Sequence, residues 1–247
     1  MTNSAYNRFW EVDLLRGIAI VMVIVFHILY DLNFFGIYKM ELYSGLSLIF
    51  VYLVGTLFLL LVGISLTLSY SKAKNNLTKK QLQLKYLKRG LGIFGLGLLI
   101  TFATWIYLAG KGFVVFGVLH CIGISIILAY PFLRFRYQNL VLGATLISAG
   151  IILKNFTFDF NWLLWLGFTP YNFYTVDYYP LLPWFGVVLI GIFLGNSLYQ
   201  NNMRKFNLKD HSQFIIVRFA CFLGRHSLII YLIHQPILVG FIHLFSL

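Results

Sequence analysis

Residues 14–35, LLRGIAIVMVIVFHILYDLNFF, form an apolar stretch of the length that crosses a lipid bilayer as one α-helix. Three ionisable side chains interrupt this stretch: Arg16, His27 and Asp31. The eleven positions from Arg16 to His27 correspond to a helical rise of about 17 Å and to a rotation within about 20° of three full turns. Both side chains therefore share one helix face. A charge at the centre of a spanning helix costs roughly 2.5–3.5 kcal/mol, so His27 is a candidate functional residue.

The composition of the 247-residue chain is that of a membrane protein, with 60% hydrophobic residues, 11% charged residues and a mean hydropathy of +0.84. Soluble domains carry about 25% charged residues. The net charge of +12 does not require a nucleic-acid partner, because basic loops between apolar spans also fix membrane orientation. Cys121 and Cys221 have no motif spacing and are interpreted as packing residues. No small-residue cleavage site follows the first apolar run, which predicts a retained span.

Seven apolar stretches predict an all-α membrane bundle of seven helices, forming one domain over residues 1–247. The predicted spans are 14–35, 44–70, 90–109, 113–132, 138–153, 180–198 and 224–245. The polar, basic segment 71–89 is compatible with a helix, and residues 214–222 are too short to span and are expected at the interface. Glycines at helical spacing, such as Gly191 and Gly195, favour close helix packing.

The distribution of basic residues predicts the orientation of the bundle. If the N-terminus is cytoplasmic, 16 of the 19 Lys and Arg residues fall on the cytoplasmic side. The outer side keeps Lys39, Lys111 and Lys154. Cytoplasmic loops are enriched in Lys and Arg, so we predict a cytoplasmic N-terminus and an outer C-terminus.

The predicted outer connection before the sixth span is rich in aromatic residues. Eleven of the 24 residues from Phe156 to Tyr179 are Phe, Tyr or Trp. Two interpretations stay open: an interfacial aromatic belt or re-entrant segment, and a lid whose rings stack on a ligand such as a sugar.

Three histidines, His27, His120 and His234, fall in the middle-to-outer layer of three predicted spans. Isolated polar groups are disfavoured in lipid, so three at similar depth favour a shared polar cavity. Asp31 follows His27 by one helical turn. Its carboxylate could accept a hydrogen bond from one imidazole nitrogen and raise the basicity of the other. The alternative for Asp31 is a helix-end residue hydrated at the interface.

The basic residues on the predicted cytoplasmic side have two open interpretations. They satisfy the orientation rule without any ligand, and Arg16 can extend to the headgroups. They could equally bind a phosphate-bearing donor, because Arg and Lys clusters bind phosphates. The candidate donor-binding residues are Arg16, Lys85, Lys88, Arg89, Arg134 and Arg225.

Three further residues are candidates for binding the substrate. Tyr231 lies three residues before His234, on the same helix face. Trp184 follows Pro183 just inside the sixth span, where core packing is its alternative role, and Asp177 precedes that span.

Four blocks carry a family resemblance: EVDLLRGIAIVMVIVFHILYDL (11–32), FGVLHCIGIS (116–125), DYYPLLPWFGVVLIGIFLG (177–195) and LGRHSLIIYLIHQPIL (223–238). In this order and spacing they resemble the prokaryotic membrane proteins grouped with the heparan-alpha-glucosaminide N-acetyltransferase catalytic domain. The spacing of Arg16 and His27 is also similar to that of integral-membrane acyltransferases that modify bacterial surface polysaccharides.

The resemblance implies acyl transfer across a plasma membrane of prokaryotic type. Acetyl-CoA or another acyl-CoA would be the cytoplasmic cosubstrate, with no metal, and a glycan or small molecule would accept the acyl group outside. By this resemblance His27 is the catalytic histidine, Arg16 helps to hold the donor, and His120 and His234 line the active centre. The resemblance implies no partner other than the bilayer and these substrates. It leaves open whether the protein forms a homo-oligomer.

Acyl transfer is the leading hypothesis. His27, polarised by Asp31, would deprotonate the acceptor for direct attack on the thioester, or would itself carry the acyl group. Two other classes stay open: a transporter with a His/Asp proton relay, and a b-type haem protein with paired histidine ligands.

Overall fold

The structure is a computed structural model that describes residues 8–200 and 203–245, and these residues form eight α-helices. The helices are α1 (Trp10–Phe34), α2 (Gly45–Ala73), α3 (Lys79–Tyr107), α4 (Val118–Ala129), α5 (Tyr137–Leu153), α6 (Leu181–Leu198), α7 (Ile215–Arg225) and α8 (Ser227–Phe245). Two 3₁₀ turns, Tyr130–Phe132 and Leu164–Leu166, and a short antiparallel pair, β1 (Tyr199–Gln200) and β2 (Met203–Arg204), complete the described chain. The all-α prediction is confirmed.

Five of the described helices, α1, α2, α3, α6 and α8, are long and apolar enough to cross a membrane. The apolar helices α4 and α5 also lie at predicted spans but are shorter. With its 3₁₀ extension to Phe132, α4 has 15 residues, and α5 has 17, which gives lengths of roughly 22–26 Å against a hydrocarbon core of about 30 Å. These helices are therefore consistent with a membrane helical bundle, whereas a count of seven spans is not confirmed.

Two of the long helices begin earlier than the hydropathy predicted. Helix α3 begins at Lys79 instead of residue 90, because the Thr78 hydroxyl accepts from the Gln81 N–H and the Gln81 side chain accepts from the Thr78 N–H. The basic segment up to Arg89 is thus part of this helix. Helix α1 begins at Trp10, where Glu11 and Asp13 in its first turn suit the positive end of the helix dipole.

The chain divides into two compact units, which are described separately. One unit contains the chain up to Leu61 and from Asn207 onward, and thus α1, the first part of α2, α7 and α8. Its core is formed by Ile20, Val23 and Val54, with Ile230 and Tyr231 of α8 packed against them. The second unit is Val62–Phe206.

Helix α7 packs across the beginning of α1. A β-carbon at Gly17 would collide with the carbonyl oxygen of Ala220, and a β-carbon at Gly224 with that of Asp13, so the two backbones touch. The Cys221 thiol donates to the Trp10 carbonyl at 3.3 Å. All of these α1 partners lie in its first two turns, so the contacts place α7 against that end of α1.

The face of α7 away from α1 is apolar and exposed. Ile215 is 83% exposed and Ile216 79%, and Phe219 and Phe222 are also exposed. Eleven residues reach only about 16 Å, too short to span. The segment expected at the interface is thus a helix of its own that is separate from α8 and continues to Arg225, and its place at the interface stays a prediction.

In the second unit, glycines bring helix backbones together. Gly90 of α3 faces Gly123 of α4, and Gly143 of α5 faces Gly186 of α6. The turn after α4 is held by two side-chain amides: the buried Asn139 donates to the carbonyls of Phe132 and Phe135, and Asn196 donates to those of Leu133 and Phe135.

The aromatic connection pairs with the segment before α4. Val176 N–H donates to the Gly112 carbonyl, and Tyr179 N–H to the Phe116 carbonyl, each at 2.9 Å. The Thr175 hydroxyl adds a bond to the Phe113 carbonyl at 2.7 Å. The prediction that a helix begins at residue 113 is therefore wrong, because these residues are extended and bonded to the connection, and α4 begins only at Val118.

Candidate active site

Two of the predicted histidines are in direct contact in the first unit. The ring centroids of His27 on α1 and His234 on α8 lie 4.6 Å apart, with an interplanar angle of 79°. His234 is 6% exposed, and His27 is partly buried. Two imidazoles thus meet edge to face within apolar helices.

Hydrogen bonds to the backbone define the tautomer of each ring. Nδ1 of His27 lies 2.9 Å from the Val23 carbonyl oxygen, and Nδ1 of His234 lies 2.6 Å from that of Tyr231. A carbonyl oxygen only accepts, so each Nδ1 carries the hydrogen, which we assign from this geometry. In the neutral rings both Nε2 atoms then keep a lone pair, the form of imidazole that acts as a base or a nucleophile.

The His234 Nε2 atom is buried and has no hydrogen-bond partner among the described residues. A buried polar atom without a partner is unfavourable, and such groups cluster where a protein holds a ligand or a transferable proton. The Nε2 lone pair of His234 is therefore available for chemistry.

Asp31 does not hold the proton of His27. Its Oδ1 atom accepts a hydrogen bond of 2.7 Å from Nε2 of Gln235 on α8, while Nδ1 of His27 bonds to Val23 within its own helix. The predicted Asp31–His27 pair is therefore corrected: a carbonyl one turn before His27 fixes the tautomer. Asp31 is 2% exposed, which excludes the alternative of a hydrated helix end.

Gln235 is a site residue that the sequence interpretation missed. It follows His234 directly, and a polar amide within a spanning helix was the available signal. Pro236, the next residue, lies inside α8 and cannot donate to the Leu232 carbonyl. Tyr231 contacts His234 ring to ring at 5.3 Å, so it belongs to the same cluster.

The structure places Arg16 in the same uninterrupted helix as His27, two turns from its start. Nη1 of Arg16 lies 3.6 Å from Oδ1 of Asp13, and Nε of Arg8 lies 3.7 Å from the other carboxylate oxygen. Asp13 is thus flanked by two guanidinium groups at the beginning of α1. Arg225 is exposed at the end of α7.

His120 belongs to the second unit, where it lies in the first turn of α4 and not several turns inside a span. Its Nδ1 accepts from the Gly117 N–H at 3.2 Å, so the neutral ring carries its hydrogen on Nε2, which faces the Thr101 hydroxyl at 3.4 Å. The ring is also enclosed by Phe94 and Phe116. Both nitrogens are engaged, unlike those of His234.

Asp177 caps the helix that carries His120. Its Oδ2 accepts from the Val118 N–H at 3.1 Å, and a β-carbon at Gly117 would collide with this carboxylate. Burial raises the pKa of Asp177 to about 6, although the Val118 bond opposes this shift. The contact observed for Asp177 is structural, and its predicted role in substrate binding stays a prediction.

The remaining predicted residues are spread over the second unit. Trp184 is 7% exposed and packs against the Tyr179 ring at 4.8 Å, as expected of a core residue. Lys85, Lys88 and Arg89 are exposed along the first turns of α3, and Arg134 is exposed with its guanidinium over the Phe135 ring. Their predicted contact with a donor stays a prediction.

The cysteines are free and buried, in agreement with a packing role. Within residues 8–200 and 203–245, no three His, Cys, Asp or Glu side chains are grouped so that they could hold a metal ion.

Fold and site together define a multi-pass membrane protein with a buried pair of histidines. The chain belongs to the family described as heparan-alpha-glucosaminide N-acetyltransferase, catalytic, whose model matches residues 8–236, nearly the whole chain. The resemblance drawn from the four sequence blocks is therefore confirmed, and the family indicates a membrane transferase of acetyl groups. No curated protein and no solved structure matches the chain.

Proposed function

We propose that this protein is an integral-membrane acyltransferase that moves an acetyl or acyl group from cytoplasmic acyl-CoA to a hydroxyl or amine acceptor outside, at the plasma membrane. The observation that supports it best is the contact between His27 and His234, with the hydrogen of each ring held on Nδ1. Family membership supports the class of reaction.

In the proposed reaction one Nε2 atom acts as the general base. It takes the proton from the acceptor hydroxyl or amine as the acceptor attacks the thioester carbonyl. The new ester or amide bond forms, the carbon–sulfur bond breaks, and the imidazolium returns the proton to the leaving thiolate. The products are the acylated acceptor and coenzyme A, with atoms and charge balanced.

The contact between the rings would allow one of His27 and His234 to act as the base and the other to receive the proton from it. An imidazolium formed on one ring lies against the neutral partner, which still offers a lone pair to receive or pass on a proton. Transfer of the acyl group to one Nε2 before it reaches the acceptor is the alternative route. His120, with both nitrogens engaged, suits a positioning role better than that of the base.

The donor would approach from the N-terminal end of α1, which carries Arg16. Arg16 and His27 lie about 17 Å apart along one unbroken helix, a distance that an extended pantetheine arm would bridge. The residues proposed to bind the donor are the cations predicted on the cytoplasmic side: Arg16, Lys85, Lys88, Arg89, Arg134 and Arg225. Asp177, Trp184 and Tyr231 are proposed for the acceptor side.

The test is acyl transfer by purified protein in proteoliposomes, with radiolabelled acetyl-CoA and either glucosamine or methyl α-glucoside as acceptor. Labelled sugar and free coenzyme A in equal amounts are the expected products. Proton-coupled uptake of a solute without any release of coenzyme A would instead favour a transporter and would contradict the proposal.

A further inference from the structure

A side-chain hydrogen bond between α1 and α8 leaves both of its partners half satisfied. Gln235 Nε2 donates to Asp31 Oδ1 at 2.7 Å. The second oxygen of each group, Oδ2 of Asp31 and Oε1 of Gln235, is buried and has no hydrogen-bond partner among the described residues. Two accepting atoms of one side-chain pair therefore lack a donor.

The ionised form of Asp31 is energetically unfavourable at this position. Asp31 is 2% exposed, it forms no ion pair with any described Lys, Arg or His, and the surrounding helices are apolar. Burying an isolated charge in such surroundings is far more costly than burying a neutral, hydrogen-bonded group.

Protonation of Asp31 would give both unpartnered oxygens a hydrogen bond. A protonated carboxyl group is a donor as well as an acceptor. If Oδ2 of Asp31 carries the hydrogen, it donates to Oε1 of Gln235 while Oδ1 continues to accept from Nε2. Both unpartnered oxygens are then satisfied by a single additional bond, and no charge is buried.

We propose that Asp31 is a neutral carboxylic acid that forms a two-bond acid–amide pair with Gln235, and that this pair positions His27 and His234 against each other. The second part rests on the proposed function. Asp31 lies one turn beyond His27, and Gln235 directly follows His234, so the pair fixes the spacing of the two helices next to the ring contact. Asp31 is then a positioning residue, and not a carboxylate that polarises a histidine.

The substitution Asp31→Asn discriminates between these two roles. Asparagine keeps both bonds, because its amide nitrogen donates to Oε1 of Gln235 and its oxygen accepts from Nε2. A polarising carboxylate, in contrast, is lost in this variant. Asp31→Ala and Gln235→Leu remove the pair altogether. Asn33→Ala is the matched control, since Asn33 lies on the same helix as Asp31 and its side chain accepts from the N–H of Met40, outside that helix.

The first measurement is infrared spectroscopy of the purified protein at about pH 5, where Asp177→Asn identifies the band of Asp177, whose pKa burial raises to about 6. We expect a carbonyl band of a protonated carboxylic acid that is absent in Asp31→Asn and unchanged in Asn33→Ala. Absence of such a band from the wild type, or its persistence in Asp31→Asn, would overturn the inference. This readout does not depend on enzymatic activity.

The second measurement is acetyl transfer. We expect Asp31→Asn to keep kcat within about threefold of the wild type, and Asp31→Ala and Gln235→Leu to lose at least tenfold in kcat with an unchanged KM for acetyl-CoA. Equal losses in Asp31→Asn and Asp31→Ala would refute the positioning role. An Asp31-dependent band in a wild type that transfers no acetyl group would sustain the acid–amide pair and refute the proposed function instead.

Discussion

Replacing Gly97 by alanine tests how His120 is held. A β-carbon at Gly97 would lie 3.0 Å from Nδ1 and Cε1 of the His120 ring, whereas carbon contacts prefer about 3.5–4.0 Å. The ring must therefore retreat from α3 by roughly 0.5 Å. Thr101, one turn further along α3, is bonded to Nε2 at only 3.4 Å, so this retreat takes the pair beyond hydrogen-bonding distance.

The expected cost follows from the bond that is lost. An unsatisfied buried donor costs about 1–3 kcal/mol, and alanine regains about 0.5–1 kcal/mol of helix propensity. We expect Gly97→Ala to be less stable than the wild type by up to about 2.5 kcal/mol, which lowers Tm by up to about 10 °C for a chain of this size.

The assay is thermal unfolding in detergent, followed by intrinsic fluorescence. Gly95→Ala is the matched control, because it lies on the same helix and its β-carbon would meet nothing within 4 Å. Its Tm should equal or slightly exceed that of the wild type. Equal Tm values for Gly97→Ala and Gly95→Ala would refute the described packing of His120.

Three further predictions concern other parts of the molecule. Folded Asp177 keeps its proton up to about pH 6, whereas an unfolded Asp releases it near 3.8, so stability should be highest below about pH 4 and fall as the pH rises through 6. This loss of stability is at most about 3 kcal/mol. In thermal unfolding Asp177→Asn should not show the loss, and the same pH profile for the variant and the wild type would contradict the prediction. A fluorophore on Ile216→Cys should be quenched by lipids with brominated tails, because this face of α7 is apolar and exposed, and a label on Lys209→Cys should not; equal quenching would contradict an interfacial α7. The absorption spectrum should show no Soret band, since rings 4.6 Å apart leave no room for a porphyrin between His27 and His234; a Soret band lost in His234→Ala would contradict the described contact.

Hydropathy and charge predicted the class of fold because lipid imposes one rule on every spanning segment: its backbone must be bonded internally. The same rule made His27 and His234 conspicuous. What hydropathy could not predict are the helix ends. Helix α3 begins at a polar capping box, and α4 begins late because residues 112–116 bond to a segment some 60 positions away.

Sequence spacing could not predict the hydrogen-bond partners of the site residues. Spacing by four placed Asp31 on the face of His27, yet Nδ1 of His27 bonds to the Val23 carbonyl, four residues before it in the same helix. Gln235 was not predicted as a site residue because burying an amide in lipid costs less free energy than burying a charge. Its pairing with Asp31 depends on the register of α1 against α8, which is set by packing over the whole unit.

We propose His27 and His234 as the reacting pair of an acyltransferase. The most direct test compares initial rates of acetyl transfer for His27→Ala, His234→Ala and His243→Ala, the last being exposed on α8 with the same type of Nδ1 bond to its own helix. We expect rates lower by about 10²–10⁴ for the first two variants and a wild-type rate for His243→Ala. Wild-type rates for both His27→Ala and His234→Ala would contradict it.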